Sequence, residues 1–85
     1  MALRIERATE EQKKDFLKLR EKKQAEGTTD WYFDEKTTCL ILEGKAVVDH
    51  YGEKITVQAG DLVTFPQGYR CQWKIVEPVR VVGKI

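Results

Sequence analysis

The chain has 85 residues, of which 41% are hydrophobic and 34% are charged, the balance of one small globular domain. Fifteen basic and fourteen acidic side chains give a net charge of +1, which excludes the strong field that draws a protein to nucleic acid or to an anionic membrane. The longest apolar run, Cys39 to Leu42, is far shorter than the roughly 20 residues of a membrane span. Because Met1 to Arg7 lacks a signal-peptide pattern, we expect a cytoplasmic protein.

The first predicted element is a helix. Thr9 is followed three positions later by Gln12, which is the pattern of a capping box, so the sequence predicts a helix from Glu10 to about Ala25. Its large apolar residues cluster between Phe16 and Leu19, and this short patch should anchor the helix to the rest of the protein. Residues 1–27 are therefore expected to form an appendage of strand and helix.

Glycines recur at regular intervals in the remainder of the chain. Beyond Gly27, short runs rich in β-branched and aromatic residues alternate with glycines that recur every eight positions, namely Gly44, Gly52, Gly60 and Gly68. Six or seven short strands joined by tight turns favour an antiparallel barrel or sandwich. The sequence thus predicts an all-β protein with a short N-terminal helix, in which residues 28–85 form the barrel.

Two of the predicted strands carry apolar residues in informative patterns. In the strand from Arg70 to Val76, the apolar set that should point into the barrel comprises Tyr69, Cys71, Trp73 and Ile75. In the strand from Thr38 to Leu42 both faces are apolar, with Cys39 and Ile41 on one and Leu40 and Leu42 on the other. Either the apolar patch of the helix or a second subunit should cover the outer face, and we expect a homodimer.

The segment from Gly60 to Cys71 carries a recognisable spacing. Gly60, five residues, Pro66, one residue, Gly68 and two residues lead to Cys71, and this resembles the second motif of the cupin superfamily, in which a histidine normally closes the pattern and holds a metal. The blocks at 38–45, 59–66, 71–73 and 77–80 resemble the short cupins related to ureidoglycine aminohydrolase. The resemblance covers about residues 31–80 and implies an RmlC-like jelly roll, often as a dimer.

The first cupin motif normally supplies two histidines and a glutamate. Counting back from Gly44 puts the glutamate position at Thr37 and the histidine pair at Asp30 and Tyr32, or under the shorter spacing at Trp31 and Phe33. None of these residues is a histidine, so no conventional metal centre and no cofactor are expected. A divalent metal, zinc first, would need Cys39 and Cys71 as ligands, with acidic help from Asp30, Asp34 or Glu35.

The two cysteines and the single histidine are the remaining candidates for chemistry. Two unpaired thiols are expected in a reducing compartment, and Cys39 and Cys71 are either small buried hydrophobic residues or part of a ligand-binding or redox site. The only histidine, His50, lies in a predicted turn, so Cys71 has no evident activating base. Catalytic residues therefore stay unknown.

Three functions follow from these features. In the first, the barrel interior receives a small polar metabolite through residues Trp31, Phe33, Thr37, Cys39, Cys71 and Trp73. In the second, the protein is a metal-dependent hydrolase of a ureido or amino compound, as the resemblance implies, with Cys71 in place of the histidine. In the third, it is a non-catalytic dimerisation module that uses the strand of Leu40 and Leu42. An aromatic lining of the barrel suits a ligand pocket and a filled core equally well.

Overall fold

Residues 3–83 are described by the computed structural model, and they form one helix and seven strands. In chain order these are β1 (Arg4–Arg7), α1 (Glu10–Phe16), β2 (Arg20–Gln24), β3 (Thr28–Phe33), β4 (Thr37–His50), β5 (Glu53–Gln58), β6 (Asp61–Phe65) and β7 (Tyr69–Gly83). The helix α1 is too short and too polar to cross a membrane.

All seven strands belong to one antiparallel sheet. The order is β1-β6-β4-β7-β2, with β3 also paired to β7 and β5 also paired to β4. The two long strands, of 14 and 15 residues, each pair with three others, so the sheet curls around a central core. The predicted all-β barrel with one short helix is confirmed.

The helix begins where the sequence predicts but ends earlier. The Thr9 hydroxyl accepts a hydrogen bond from the Gln12 amide at 3.1 Å, and the Gln12 side chain accepts one from the Thr9 amide at 2.9 Å, which completes the capping box. The prediction that the helix continues to Ala25 is wrong, because α1 stops at Phe16 and Arg20–Gln24 form β2. The charged segment after Phe16 has no apolar helical face, and tertiary pairing overrides its helix propensity.

Strand β2 forms antiparallel pairs with the C-terminal end of β7. Its five residues pair with Val79–Gly83, and Glu21 accepts a 2.7 Å hydrogen bond from Arg80, whose guanidinium also donates to Glu43 at 3.1 Å. The hydrogen bond from Arg80 lowers the pKa of the Glu21 carboxyl. Strands on both sides of the predicted boundary at residue 27 therefore lie in one sheet, with that boundary between β2 and β3.

Strand β4 is buried on both faces, as its sequence predicts. Cys39 and Ile41 belong to the inner core, whereas Leu40 packs outside the sheet with Leu62 and Val82. Phe16 of α1, together with Ala8 and Leu42, covers this outer cluster. Because its own chain buries Leu40 completely, the predicted dimer contact through Leu40 is not available on the surface.

Candidate ligand-binding site

The inner face of the barrel follows the predicted alternation along β7. Tyr69, Cys71 and Trp73 are buried, while Arg70 and Gln72 between them are exposed. Strand β3 lies against this segment in antiparallel register. As a result Trp31 lies opposite Cys71, and Phe33 lies opposite Tyr69. The barrel therefore brings residues from both predicted motifs to the same place.

Aromatic rings fill most of the interior. Trp31 stacks on Trp73 with ring centroids 5.0 Å apart, and Phe33 stacks on Phe65 at 4.1 Å with an interplanar angle of 9°. Phe65 also contacts the Tyr69 ring at 5.7 Å. These stacked and tilted arrangements stabilise the core beyond the burial of their area. Trp73, one of the predicted ligand-binding residues, is thus a packed core residue with about 1% of its surface exposed.

The two thiols are free and buried in the same core cluster. Burial raises the pKa of Cys39 to about 12, and the nearby Cys71 adds to the increase. Burial also raises the pKa of Cys71 to about 11, an increase that the neighbouring Trp73 indole partly offsets. Both side chains are therefore neutral thiols at physiological pH, which is the inert form of cysteine.

No metal-binding group converges in the described part of the chain. Between residues 3 and 83 there is no cluster of three or more histidine, cysteine, aspartate or glutamate side chains. Under the shorter spacing, the positions that correspond to metal ligands in the resemblance carry Trp31, Phe33, Thr37 and Cys71. The indole N–H has no free lone pair for a metal. The remaining hydroxyl and high-pKa thiol are a poor set of ligands for a divalent ion.

Three of the predicted residues line a cavity beside β3. Trp31, Phe33 and Thr37 surround a space of about 330 Å³ together with Lys22, Asp30, Tyr32 and Asp34. We call this space the mouth. The Thr37 hydroxyl donates to the Glu35 carbonyl at 2.9 Å. Cys39 and Trp73 do not line the mouth.

Lys22 is a residue of the mouth that the sequence did not reveal. Its Nζ lies over the Trp31 ring, 4.7 Å from the centroid, which is the geometry of a cation–π contact. The Trp31 Nε1–H is buried and has no hydrogen-bond partner among residues 3–83. Lys22 was missed because it lay within the overextended helix prediction, and only the β2–β7 pairing brings it to the barrel.

A larger groove, of about 540 Å³, lies beside the mouth. Its lining comes from the exposed ends of β3, β4 and β7 and from the turn after β4, and comprises Asp30, Trp31, Tyr32, Asp49, Tyr51, Gly52, Arg70, Cys71 and Gln72. Cys71 is therefore the one predicted site residue that lies next to this groove but not next to the mouth.

His50 lies at the end of β4 and is packed rather than free in a turn. Its Nδ1 is 2.6 Å from the Arg70 carbonyl oxygen, and its ring stacks on Tyr69 with centroids 4.2 Å apart. The prediction that His50 lies in a turn is wrong, because it is the last residue of β4, and contact with β7 half-buries the imidazole. Since His50 hydrogen-bonds to backbone and not to either thiol, it does not activate a cysteine.

Comparison with known proteins places this geometry in context. A family model described as the EutQ-like cupin domain matches residues 21–84. The structure of a DUF861 family protein from Thermotoga maritima is similar over 99% of both chains, with 41% identity and a TM-score of 0.89. No curated protein matches the chain.

Two more distant structures share the fold. The Clostridium difficile EutQ protein is 21% identical, with a TM-score of 0.66 over 75% of this chain and 52% of its own length. A DUF1255 protein of unknown function from Acidithiobacillus ferrooxidans is 18% identical, with a TM-score of 0.67 over 74% of this chain and 61% of its own. At these identities the likeness concerns the fold alone.

Proposed function

The chain belongs to the family of EutQ-like cupin domains, and on that premise we propose that it binds a small polar metabolite in the mouth without a conventional metal centre. One observation carries the proposal. Trp31, Phe33 and Thr37, which under the shorter spacing stand at positions where the resemblance expects metal ligands, line a single cavity of about 330 Å³. That volume suits a small ligand.

The polar groups of the mouth support a polar rather than an apolar ligand. Lys22 supplies a hydrogen-bond donor, whereas Asp30 and Asp34 supply acceptors. The Phe33 ring and the Trp31 ring supply apolar walls. A few directed polar groups in an aromatic lining are typical of sites that fix the orientation of a metabolite.

The narrower resemblance to ureidoglycine aminohydrolase gives an alternative function, the metal-dependent hydrolysis of a ureido or amino compound. In that function Cys71 would replace the usual histidine and bind the metal as a thiolate. Burial works against this role, since it raises the Cys71 pKa to about 11. Cys39 is more deeply buried still and lines neither cavity. We therefore favour metabolite binding without a metal.

We also propose a homodimer, because the resemblance to cupins implies one. Its contact has to use surface other than Leu40, which α1 covers. A dimerisation module without a ligand site is the third function, and it predicts that no small molecule binds the mouth. Ligand binding and sedimentation velocity separate these two functions.

Nuclear magnetic resonance tests the mouth directly. The chain has two tryptophans, so a ¹⁵N-labelled sample gives two indole N–H signals, which Trp31→Phe assigns. We expect small carboxylates, amides or ureides at millimolar concentration to shift the Trp31 signal more than the Trp73 signal. Lys22→Gln should weaken binding, whereas Lys18→Gln, an exposed lysine outside the mouth, should not. A Trp31 signal that no compound shifts would contradict the proposal.

A further inference from the structure

We propose that the groove beside the mouth is a second site, which binds a small zwitterion carrying a carboxylate and an amine. The groove lies on the outer face of the sheet, where Asp30, Gln72 and Asp49 form one row across β3, β7 and β4. Tyr32 and Arg70 pair in the neighbouring row. Because side chains alternate along each strand, these five side chains all point outward into the same groove.

Asp49 Oδ1 accepts a hydrogen bond from the Gly52 amide at 2.8 Å, but the charges of the groove are not balanced by ion pairs. Among residues 3–83, none of Asp30, Asp49 and Arg70 forms an ion pair. In contrast, Arg80 binds Glu21 at 2.7 Å elsewhere on the surface. One strand row thus presents two carboxylates and the next presents a guanidinium. A molecule with both an amine and a carboxylate complements this pattern, whereas a molecule with one charge complements only half of it.

A contact with an aromatic ring holds Arg70 in place. Its guanidinium carbon lies 5.0 Å from the centroid of the Tyr32 ring, so a cation–π contact restricts the side chain. The backbone carbonyl of the same residue is bound by His50 at 2.6 Å. The guanidinium therefore keeps N–H groups for a ligand carboxylate, for which its planar geometry is well suited.

Tyr51 forms the other wall of the groove in a conformation that a tyrosine rarely adopts. Its φ is +50° and that of Gly52 is +90°, and the two residues make the loop between the paired His50 and Glu53. Asn-Gly is the favoured sequence for such a loop, because both residues have positive φ. Tyr51 is 82% exposed, and its ring contacts the His50 ring edge-on with centroids 4.7 Å apart. Such a ring next to carboxylates can attract an ammonium group.

The groove has lining residues that the mouth lacks, and substitutions of these residues test the groove separately. The two cavities meet at residues 30–32 of β3, but Asp49, Tyr51, Arg70 and Gln72 line only the groove. The volume of about 540 Å³ accommodates a molecule of the size of a betaine or an amino acid. Binding in the groove is therefore measurable whether or not the mouth binds a metabolite.

Three small molecules of nearly the same shape test the charge pattern. Glycine betaine carries both charges, choline carries the ammonium without the carboxylate, and 3,3-dimethylbutyrate carries the carboxylate with carbon in place of nitrogen. We titrate each into ¹⁵N-labelled protein and follow the backbone amides of Tyr51 and Gly52. The proposal predicts that betaine binds about fivefold more tightly than either analogue. Equal affinity of betaine and its analogues, or no shift of these amides, would overturn it.

Variants of the groove give a second, independent readout. Arg70→Gln should remove the preference for betaine over choline, and Lys74→Gln, which faces outward on β7 outside the groove, should leave it unchanged. Tyr51→Asn should weaken betaine about threefold while leaving the melting temperature the same or higher, since it restores the favoured turn sequence. If Arg70→Gln and Tyr51→Asn bind betaine like the wild type, the inference is wrong.

Discussion

Trp31 and Cys71 are direct cross-strand partners on β3 and β7. In the cupin resemblance, under the shorter spacing, Trp31 stands at a histidine position of the first motif, and Cys71 stands at the closing histidine of the second. The fold thus brings together the two motif positions, but it fills them with an indole and a neutral thiol. Neither group is a good ligand for a divalent ion in this form.

The pH dependence of stability reports on the two buried thiols. Their folded pKa values, about 12 for Cys39 and about 11 for Cys71, lie above the ordinary value of 9.0. In the unfolded chain the two thiols lose their protons at a lower pH than in the folded protein. Their contribution to the free energy of unfolding is therefore complete below pH 9 and is lost as the pH rises from 9 towards 11 and 12. Denaturant melts at several pH values should show this decline.

A variant without thiols isolates their share of that decline. Cys39→Ala with Cys71→Ala should lower the stability at pH 7 by about 1 kcal/mol per site through lost packing, and should flatten the alkaline decline. Part of the slope should stay, because burial also raises the pKa of Tyr69. An alkaline slope identical to that of the wild type would mean that the thiols are not desolvated as described.

Gly44 should tolerate no side chain. Its φ is +85°, and a Cβ there would lie 1.9 Å from the Pro78 carbonyl oxygen, where β4 and β7 approach each other. We expect Gly44→Ala to cost about 4 kcal/mol or to prevent folding. Gly27→Ala is the matched control, because its φ is +96° with no atom within 4 Å of the added Cβ, and should cost only about 1 kcal/mol. Equal losses in thermal melts would exclude the clash.

The outer cluster should behave as core and not as an interface. Leu40 is fully buried beneath Phe16, so Leu40→Ala should destabilise the protein by about 3 kcal/mol, and Phe16→Ala should also be destabilising. Leu17→Ala, at a side chain that is 58% exposed, serves as the control and should be nearly neutral. Sedimentation of folded Leu40→Ala should match the wild type. A clean conversion of dimer to monomer without loss of stability would contradict this assignment.

The strands were predictable because their side chains alternate and their turns are marked by glycine. Cys71 and Trp73 point inward and Gln72 outward, as the period of two along β7 requires. The double burial of β4 followed from the apolar residues on both of its faces. These features depend on local sequence, which is why the sequence alone could establish them.

The sites were less predictable because they depend on pairing between distant segments. Lys22 reaches Trp31 only because β2 pairs with the end of β7, and nothing in its charged surroundings indicates a strand. The packing of Trp73 and Cys39 in the core, rather than around a cavity, depends on how the rings of β3, β6 and β7 stack. The sequence identified the aromatic residues but not which of them border open space.

The metal content of the purified protein tests the central claim most directly. Tag-free protein prepared without chelators is dialysed into metal-free buffer and analysed by plasma mass spectrometry. The absence of convergent ligands between residues 3 and 83 leads us to expect no stoichiometric zinc, manganese, iron or nickel in a folded sample. About one metal ion per chain, lost on Cys71→Ala without loss of the fold, would contradict the account and favour the hydrolase.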